Sequence, residues 1–342
     1  MKKVLFVSEI SPEVKSGGSM AARRDLAFLK EKYDVIETSI YTKERTKIKK
    51  IINLFFSKCP ILYSRSETKK IIKIMKNTDA EIVFFESSLM GFFAKKAKQF
   101  GLKTVTFFQN CEYILFNTAR KKIWLNKVYK QEKLALENSD RILLLNERDL
   151  KDLQGTYGVV KKNYSFYPVS IEDKFNPSFN YTDEIYGLFI GSWFRPNENA
   201  VKYIIDNIAD YINVKIKVIG YKFENFTYKD NKNVEIIGTV DDTAKYVQDA
   251  SFVIFPIFDG SGMKVKTCES MMFGKSIIAS SEALVGYITN GNINRCADKL
   301  DFINTINSGQ FKKYNPSVRK IWEENYSYDC VKKILYNTIE SV

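Results

Sequence analysis

IFPIFDGSGMKVKTCESMMFGKSIIASSEALVG, residues Ile254–Gly286, decides the fold of this chain. Its apolar opening, from Phe252 to Pro256, predicts a buried strand. Gly260, Ser261 and Gly262 predict a turn, Met263 to about Phe273 a helix, and Ser276 to Ser280, past Gly274, a second strand. Glycine in the turn lets backbone amides approach a ligand without a side chain between them. The helix that starts there offers unpaired N–H groups and the positive end of its dipole, which together favour an anion. Lys266 and Glu269, three residues apart, share a helix face near that end. A cation for phosphate beside a carboxylate for vicinal hydroxyls suits a nucleoside diphosphate.

The series Pro256, Gly260-Ser261-Gly262-Met263-Lys264-Val265-Lys266, Glu269 and Gly274-Lys275 resembles the donor-binding segment of the retaining family-4 (group 1) glycosyltransferases, which have the GT-B fold. The resemblance implies a nucleotide-sugar donor with Glu269 on the ribose and a basic residue on the diphosphate. A GSG turn alone is weak; the whole strand, turn, helix, Gly-Lys and strand unit is specific.

Working outward, the first half alternates short apolar runs with helical patterns. Lys3 to Ser8, Val35 to Ile40, Glu81 to Phe85, Thr104 to Phe108 and Arg141 to Leu145 read as strands. Met20 to Lys32, Glu67 to Asn77, Leu89 to Phe100 and Thr118 to Asn138 read as helices. A second series has strands at Tyr186 to Ile190, Lys215 to Ile219, Val234 to Ile237, Ser251 to Phe255 and Ser276 to Ile278, with helices at Asn199 to Ile208 and Thr243 to Gln248. Alternation of this kind predicts an α/β fold of two doubly wound parallel sheets, whose ligands bind beyond the carboxyl ends of the strands. Tyr167-Pro168 to Asn176-Pro177 breaks the periodicity and serves as the linker. The expected division is residues 1–168, an acceptor-side Rossmann-like domain, and 169–325, the donor-binding one. The resemblance implies that the two face a central cleft and that the terminal helix, within 326–342, packs back on the first.

At 342 residues, 45% hydrophobic and 27% charged, the chain has the composition of a two-domain globular protein. No apolar run reaches the ~20 residues that span a bilayer, and the opening Met1-Lys2-Lys3 with Glu9 reads as a first strand and not a secretory signal. Five cysteines without a CxxC pair point to reduced thiols and a cytoplasmic setting. There is no histidine, which excludes histidine triads, histidine metal sites and histidine bases. The net charge of +13 is uneven: residues 1–170 hold 33 Lys+Arg against 18 Asp+Glu, and the remainder 20 against 22.

Several further positions are candidates. Gly17 and Gly18 follow the first strand and open a helix, where amides can meet a phosphate or an acceptor; the alternative is a flexible turn capping the helix through Ser16 or Ser19. Gln109, Asn110 and Glu112 follow the strand ending at Phe108. In the resembled enzymes a histidine near the transferred sugar stands where Gln109 stands here, and glutamine can hydrogen-bond a hydroxyl but cannot titrate; ordinary loop polarity is the competing reading. Many members also carry a glutamate eight positions before Glu269, where this chain has Ser261, with Asp259 nearby. Ser261, Gly262 and Met263 form the turn, and Lys264 competes with Lys266 for the diphosphate. Gly191 and Arg195 lie beyond the strand ending at Ile190, Arg195 being either a second cation for the leaving phosphate or a surface residue. Gly238, Thr239 and Val240 end another strand; the resemblance suggests base contacts, and the simpler reading is a helix start capped by Asp241 or Asp242.

Residues 47–58 and 120–130 mix lysines with apolar residues at helical spacing. They fit either an anionic membrane surface or core-facing amphipathic helices. No recognition motif for nucleic acid accompanies the positive charge. The resemblance therefore implies a cytoplasmic enzyme, peripheral to the inner face of the membrane. It would need no metal or cofactor and would move a sugar from a nucleotide sugar to a lipid-linked or glycan acceptor in surface polysaccharide assembly. A sugar-nucleotide epimerase of the same fold and a non-catalytic partner subunit are the alternatives.

Overall fold

The computed structural model describes residues 1–8, 17–39, 65–118, 124–158, 163–309 and 311–342. The chain forms two compact units, Met1–Pro168 with Lys332–Val342, and Val169–Val331.

The first unit runs β1 (Lys3–Ser8), α1 (Gly17–Lys32), β2 (Asp34–Ser39), α2 (Arg65–Asn77), β3 (Ile82–Phe85), α3 (Gly91–Gln99), β4 (Lys103–Phe108), α4 (Glu112–Thr118), α5 (Leu125–Asn138), β5 (Arg141–Leu144), α6 (Glu147–Tyr157) and β6 (Tyr164–Phe166). All six strands are parallel, in the order β2-β1-β3-β4-β5-β6. The central strands β1 and β3 are apolar runs, buried from Val4 to Val7 and from Ile82 to Phe85, as parallel strands covered on both faces must be. Leu5, Val7, Val83 and Phe85 pack with Ile71 and Met75 of α2 and with Phe93 and Ala97 of α3.

The second unit continues with β7 (Tyr186–Ile190), α7 (Arg195–Asn207), β8 (Lys215–Ile219), β9 (Val234–Gly238), α8 (Thr243–Asp249), β10 (Phe252–Phe255), α9 (Val265–Met272), β11 (Ser276–Ser280), β12 (Ile293–Cys296), α10 (Lys299–Asn307) and α11 (Pro316–Asn325). Its six strands are again parallel, in the order β12-β11-β10-β7-β8-β9. The chain builds outward from β7 in one direction and from β10 in the other. The carboxyl ends of these two neighbours are therefore the switch point where such sheets bind ligands. Gly187 makes the pairing possible, because a Cβ there would lie 2.5 Å from the ring of Phe252. The last helix, α12 (Tyr328–Glu340), is tied to the first unit: Lys332 pairs with Glu31 at 2.6 Å, and Glu340 meets Lys2, Lys32 and Tyr33.

The expected single helix over Thr118 to Asn138 is instead two, α4 and α5, with residues 119–123 outside the described residues. The expected helix from Leu89 is a short turn, Ser88–Met90, leading into α3. The lysine-rich segment 47–58 also falls outside the described residues. Among those described, no helix is long and apolar enough to cross a membrane.

Lys275 of the Gly274-Lys275 pair is structural. Its side chain is fully buried and its ammonium donates to the carbonyls of Gln248 (2.6 Å) and Ala250 (2.7 Å), which pins the start of β11 to the end of α8. Glu132 does equivalent work in the first unit. Buried on α5, it accepts from the amides of Glu112 (2.9 Å) and Tyr113 (2.8 Å), from Ser88 Oγ (3.0 Å) and from Tyr157 OH (2.8 Å). Burial raises its pKa while these four bonds pull it down. It thus supplies from a neighbouring helix the cap that α4 needs, fixing the segment that carries Gln109 to Glu112. Glu132→Ala leaves buried donors without an acceptor and is expected to cost about 2–4 kcal/mol. The check is a lowered urea midpoint, with a smaller loss for Glu132→Gln.

Candidate functional site

At the switch point of the second sheet, β7 delivers Gly191 and β10 leads through Pro256 and Asp259 into the glycine turn. Gly260 and Gly262 have φ of 125° and 63°, conformations that side chains resist, so the turn can fold back to start α9. Lys264 is the N-cap of α9, with extended backbone, and not a helical residue. Its ammonium bonds the carbonyls of Ser261 (3.2 Å) and Gly262 (3.1 Å) and pairs with Glu282 at 2.7 Å, while its own carbonyl accepts from Tyr287 OH at 2.9 Å. Lys264 therefore braces the turn. Ser261 is half-buried and Met263 buried.

Lys266 is placed differently. As the second residue of α9, it places its Nζ 4.5 Å from the centroid of the Phe189 ring and 5.5 Å from that of Phe255, and donates to Asn197 Oδ1 at 2.6 Å. Burial lowers its pKa to about 7, Lys264 adds to the lowering, and Glu269 works against it. Glu269, on the same helix, is pushed up by burial, with Lys174, a hydrogen bond from Thr243 and Lys266 pulling it down. The arrangement offers a cation and a carboxylate at one helix start, neither neutralised by a partner at ion-pair distance among the described residues.

The other positions divide. Arg195 is the first residue of α7, its side chain 84% exposed and 3.9 Å from Asp259. Gly238 (φ 83°) closes β9, and Thr239 is held by Glu224 Oε2, which accepts from its amide at 2.9 Å and its hydroxyl at 2.7 Å. Val240 follows, half-buried, and the helix start beyond it is capped by Asp242, which accepts from the Ala244 amide at 2.9 Å.

In the first unit, Gly17 and Gly18 are the opening residues of α1. Gln109, at the carboxyl end of β4, donates through Nε2 to Glu86 Oε1 at 3.1 Å and to the Glu86 carbonyl at 3.4 Å. Asn110 Nδ2 donates to Glu112 Oε1 at 3.3 Å. Glu86 itself is buried beyond β3, its pKa raised well above normal by burial and by Asp25, with Arg24 opposing. Asp25 Oδ1 accepts from Arg24 Nε and Tyr167 OH, both at 2.7 Å.

Sequence reading passed over Glu86, Asn197 and Glu282. The first two had a signal, since Glu86 follows a strand end and Asn197 follows Pro196 at a helix start beyond one. Glu282 had none.

Residues 184–307 match the profile of the family described as "Glycosyl transferases group 1". No curated protein matches the chain by sequence. Among solved structures, the chain is similar to Anabaena Alr3699/HepE in complex with UDP, at 13% identity and a TM-score of 0.72, covering 100% of both chains. It is also similar to the lipopolysaccharide outer core galactosyltransferase WaaB in its apo form, at 15% identity, 0.69 and 99% of both. A third likeness is to a glycosyltransferase from Rickettsia africae ESF-5, at 12% identity and 0.66, covering 100% of this chain and 99% of that one. These likenesses concern the fold, two six-stranded parallel sheets with flanking helices. Residues 184–307 thus resemble a group 1 glycosyl transferase domain, within a chain of GT-B fold.

Proposed function

We propose that the protein is a retaining, family-4 glycosyltransferase that moves a sugar from a nucleoside diphosphate sugar to a lipid-linked or glycan acceptor in surface polysaccharide assembly. The observation that carries this reading is the start of α9, where the Lys266 ammonium and the Glu269 carboxylate accompany the amides of a glycine turn at the switch point of the sheet. Lys266 and the amides take the diphosphate, and Glu269 accepts from two ribose hydroxyls. The neighbours solved with UDP and UDP-glucose support a nucleotide of this kind.

In this reading the acceptor oxygen attacks the anomeric carbon on the face from which the diphosphate leaves, and its proton passes to a departing phosphate oxygen. The sugar–phosphate bond breaks and the new glycosidic bond forms with the configuration kept. Catalysis then consists of stabilising charge that grows on the leaving group, a task for Lys266, for Arg195 if it turns inward, and for the Gly17 and Gly18 amides. Gln109 serves a sugar hydroxyl as hydrogen-bonding partner. Lysine and amides can carry this charge without a metal, so we expect no metal requirement. The basic excess of residues 1–170 favours an anionic membrane surface on the cytoplasmic side, where a lipid-linked acceptor would reside.

Titration calorimetry tests the donor site. Lys266→Ala and Glu269→Ala should each weaken UDP binding at least tenfold, about 1.4 kcal/mol or more, and unchanged affinity in both would remove the assignment. Donor turnover by the purified chain, with and without a chelator, separates transfer to an acceptor from interconversion of the donor alone. A pH series supplies a second test. Because the diphosphate needs the ammonium form, affinity for a nucleotide sugar should be full below pH about 7. It should fall as pH rises through that value, by up to roughly tenfold per unit.

A further inference from the structure

Lys266 has a neutral acceptor where a buried ammonium commonly has a carboxylate, and the surroundings of that acceptor are specific. Asn197 is 3% exposed and is the third residue of α7. Its backbone amide donates to the Phe194 carbonyl at 2.9 Å and its side-chain Nδ2 to the Ser192 carbonyl at 2.7 Å. The Ser192 carbonyl fixes which way the carboxamide points. A flipped amide would set Oδ1 against that carbonyl and Nδ2 against an ammonium, two repulsions in place of two bonds. Gly191 completes the fit, since a Cβ there would stand 2.6 Å from both Asn197 Nδ2 and Lys266 Nζ.

We propose that Asn197 is a positioning residue for donor binding: its oxygen holds the Lys266 ammonium at the end of β7 without neutralising it, so the full positive charge remains for the diphosphate. The inference rests on the reading that Lys266 takes the diphosphate. A carboxylate in the same place would hold the ammonium more tightly and compete with phosphate for it. An alanine would leave it without a fixed acceptor. The other charges facing this ammonium are Lys264 and Glu269 from the α9 segment. From α7, Arg195 is directed to Asp259 and Glu198 to Lys202, and β7 and β10 contribute the rings of Phe189 and Phe255.

The two substitutions therefore act in opposite directions on the protonation of Lys266, which a merely structural asparagine would not do. The experiment measures affinity for UDP-glucose, whose diphosphate does not titrate in the range, between pH 6 and pH 9 by calorimetry. GDP-mannose replaces it if the wild type binds that instead. Asn197→Asp should weaken binding at pH 6 by roughly tenfold, one unit of differential interaction, and move the pH midpoint upward. Asn197→Ala should move the midpoint downward. If either variant fails to fold, Gly191→Ala parts the same pair through its added Cβ and should also displace the midpoint. Midpoints unchanged in variants that fold, with Lys266→Ala still crippled, overturn the role of Asn197 alone. A Lys266→Ala that binds like the wild type, or a wild type that binds neither nucleotide sugar, overturns the donor-site reading beneath it.

Discussion

An ammonium set against two phenyl rings gives up much of its hydration and recovers part of the loss from the rings and one short hydrogen bond. The second unit is organised around keeping Lys266 in that condition. Phe189 and Phe255 stand near the ends of adjacent parallel strands, and their ring centroids lie 6.1 Å apart. Gly191 clears the space at the strand end, and the glycine turn aims the first turn of α9 at the same spot. The cation is left incompletely satisfied, and an anion that brings more acceptors improves its situation.

Neighbouring Lys264 shows how differently the same residue type can be used two positions away. Extended backbone at the N-cap sends its side chain back onto the turn, where two carbonyls and Glu282 absorb its charge. Backbone conformation decides where each of the two ammonium groups is directed. Lys275, a third lysine in the same stretch, bonds two carbonyls in the interior and serves the sheet.

Much of this was legible in the residues. The central strands announced themselves because buried parallel strands are continuous apolar runs, and the helix carrying Lys266 and Glu269 because glycines bracket it. What escaped was either short or mixed in character. β6 has three residues, β12 (INRC) is half polar, and α11 (PSVRKIWEEN) has few apolar positions to reveal a period. The partners of the site were less visible still. Asn197 lies 69 positions from Lys266 and Glu282 lies 18 from Lys264, separations at which only the sheet topology creates contact. The exchange of histidine for Gln109 was plain, but its tie to Glu86 depends on two strand ends lying side by side.

Arg319 on α11 stands at the opposite pole of α9. Its guanidinium donates to the Met272 carbonyl at 2.6 Å, grips Asp173 through two nitrogens and Glu323 through a third, and lies 4.5 Å from the centroid of the Trp322 ring. Four directions of bonding and a flat face are more than an amine can imitate, so a lysine there would forfeit most of the junction despite keeping the charge. The helix that carries Lys266 near its head is thus moored at its tail by a group whose shape, and not its sign alone, does the holding.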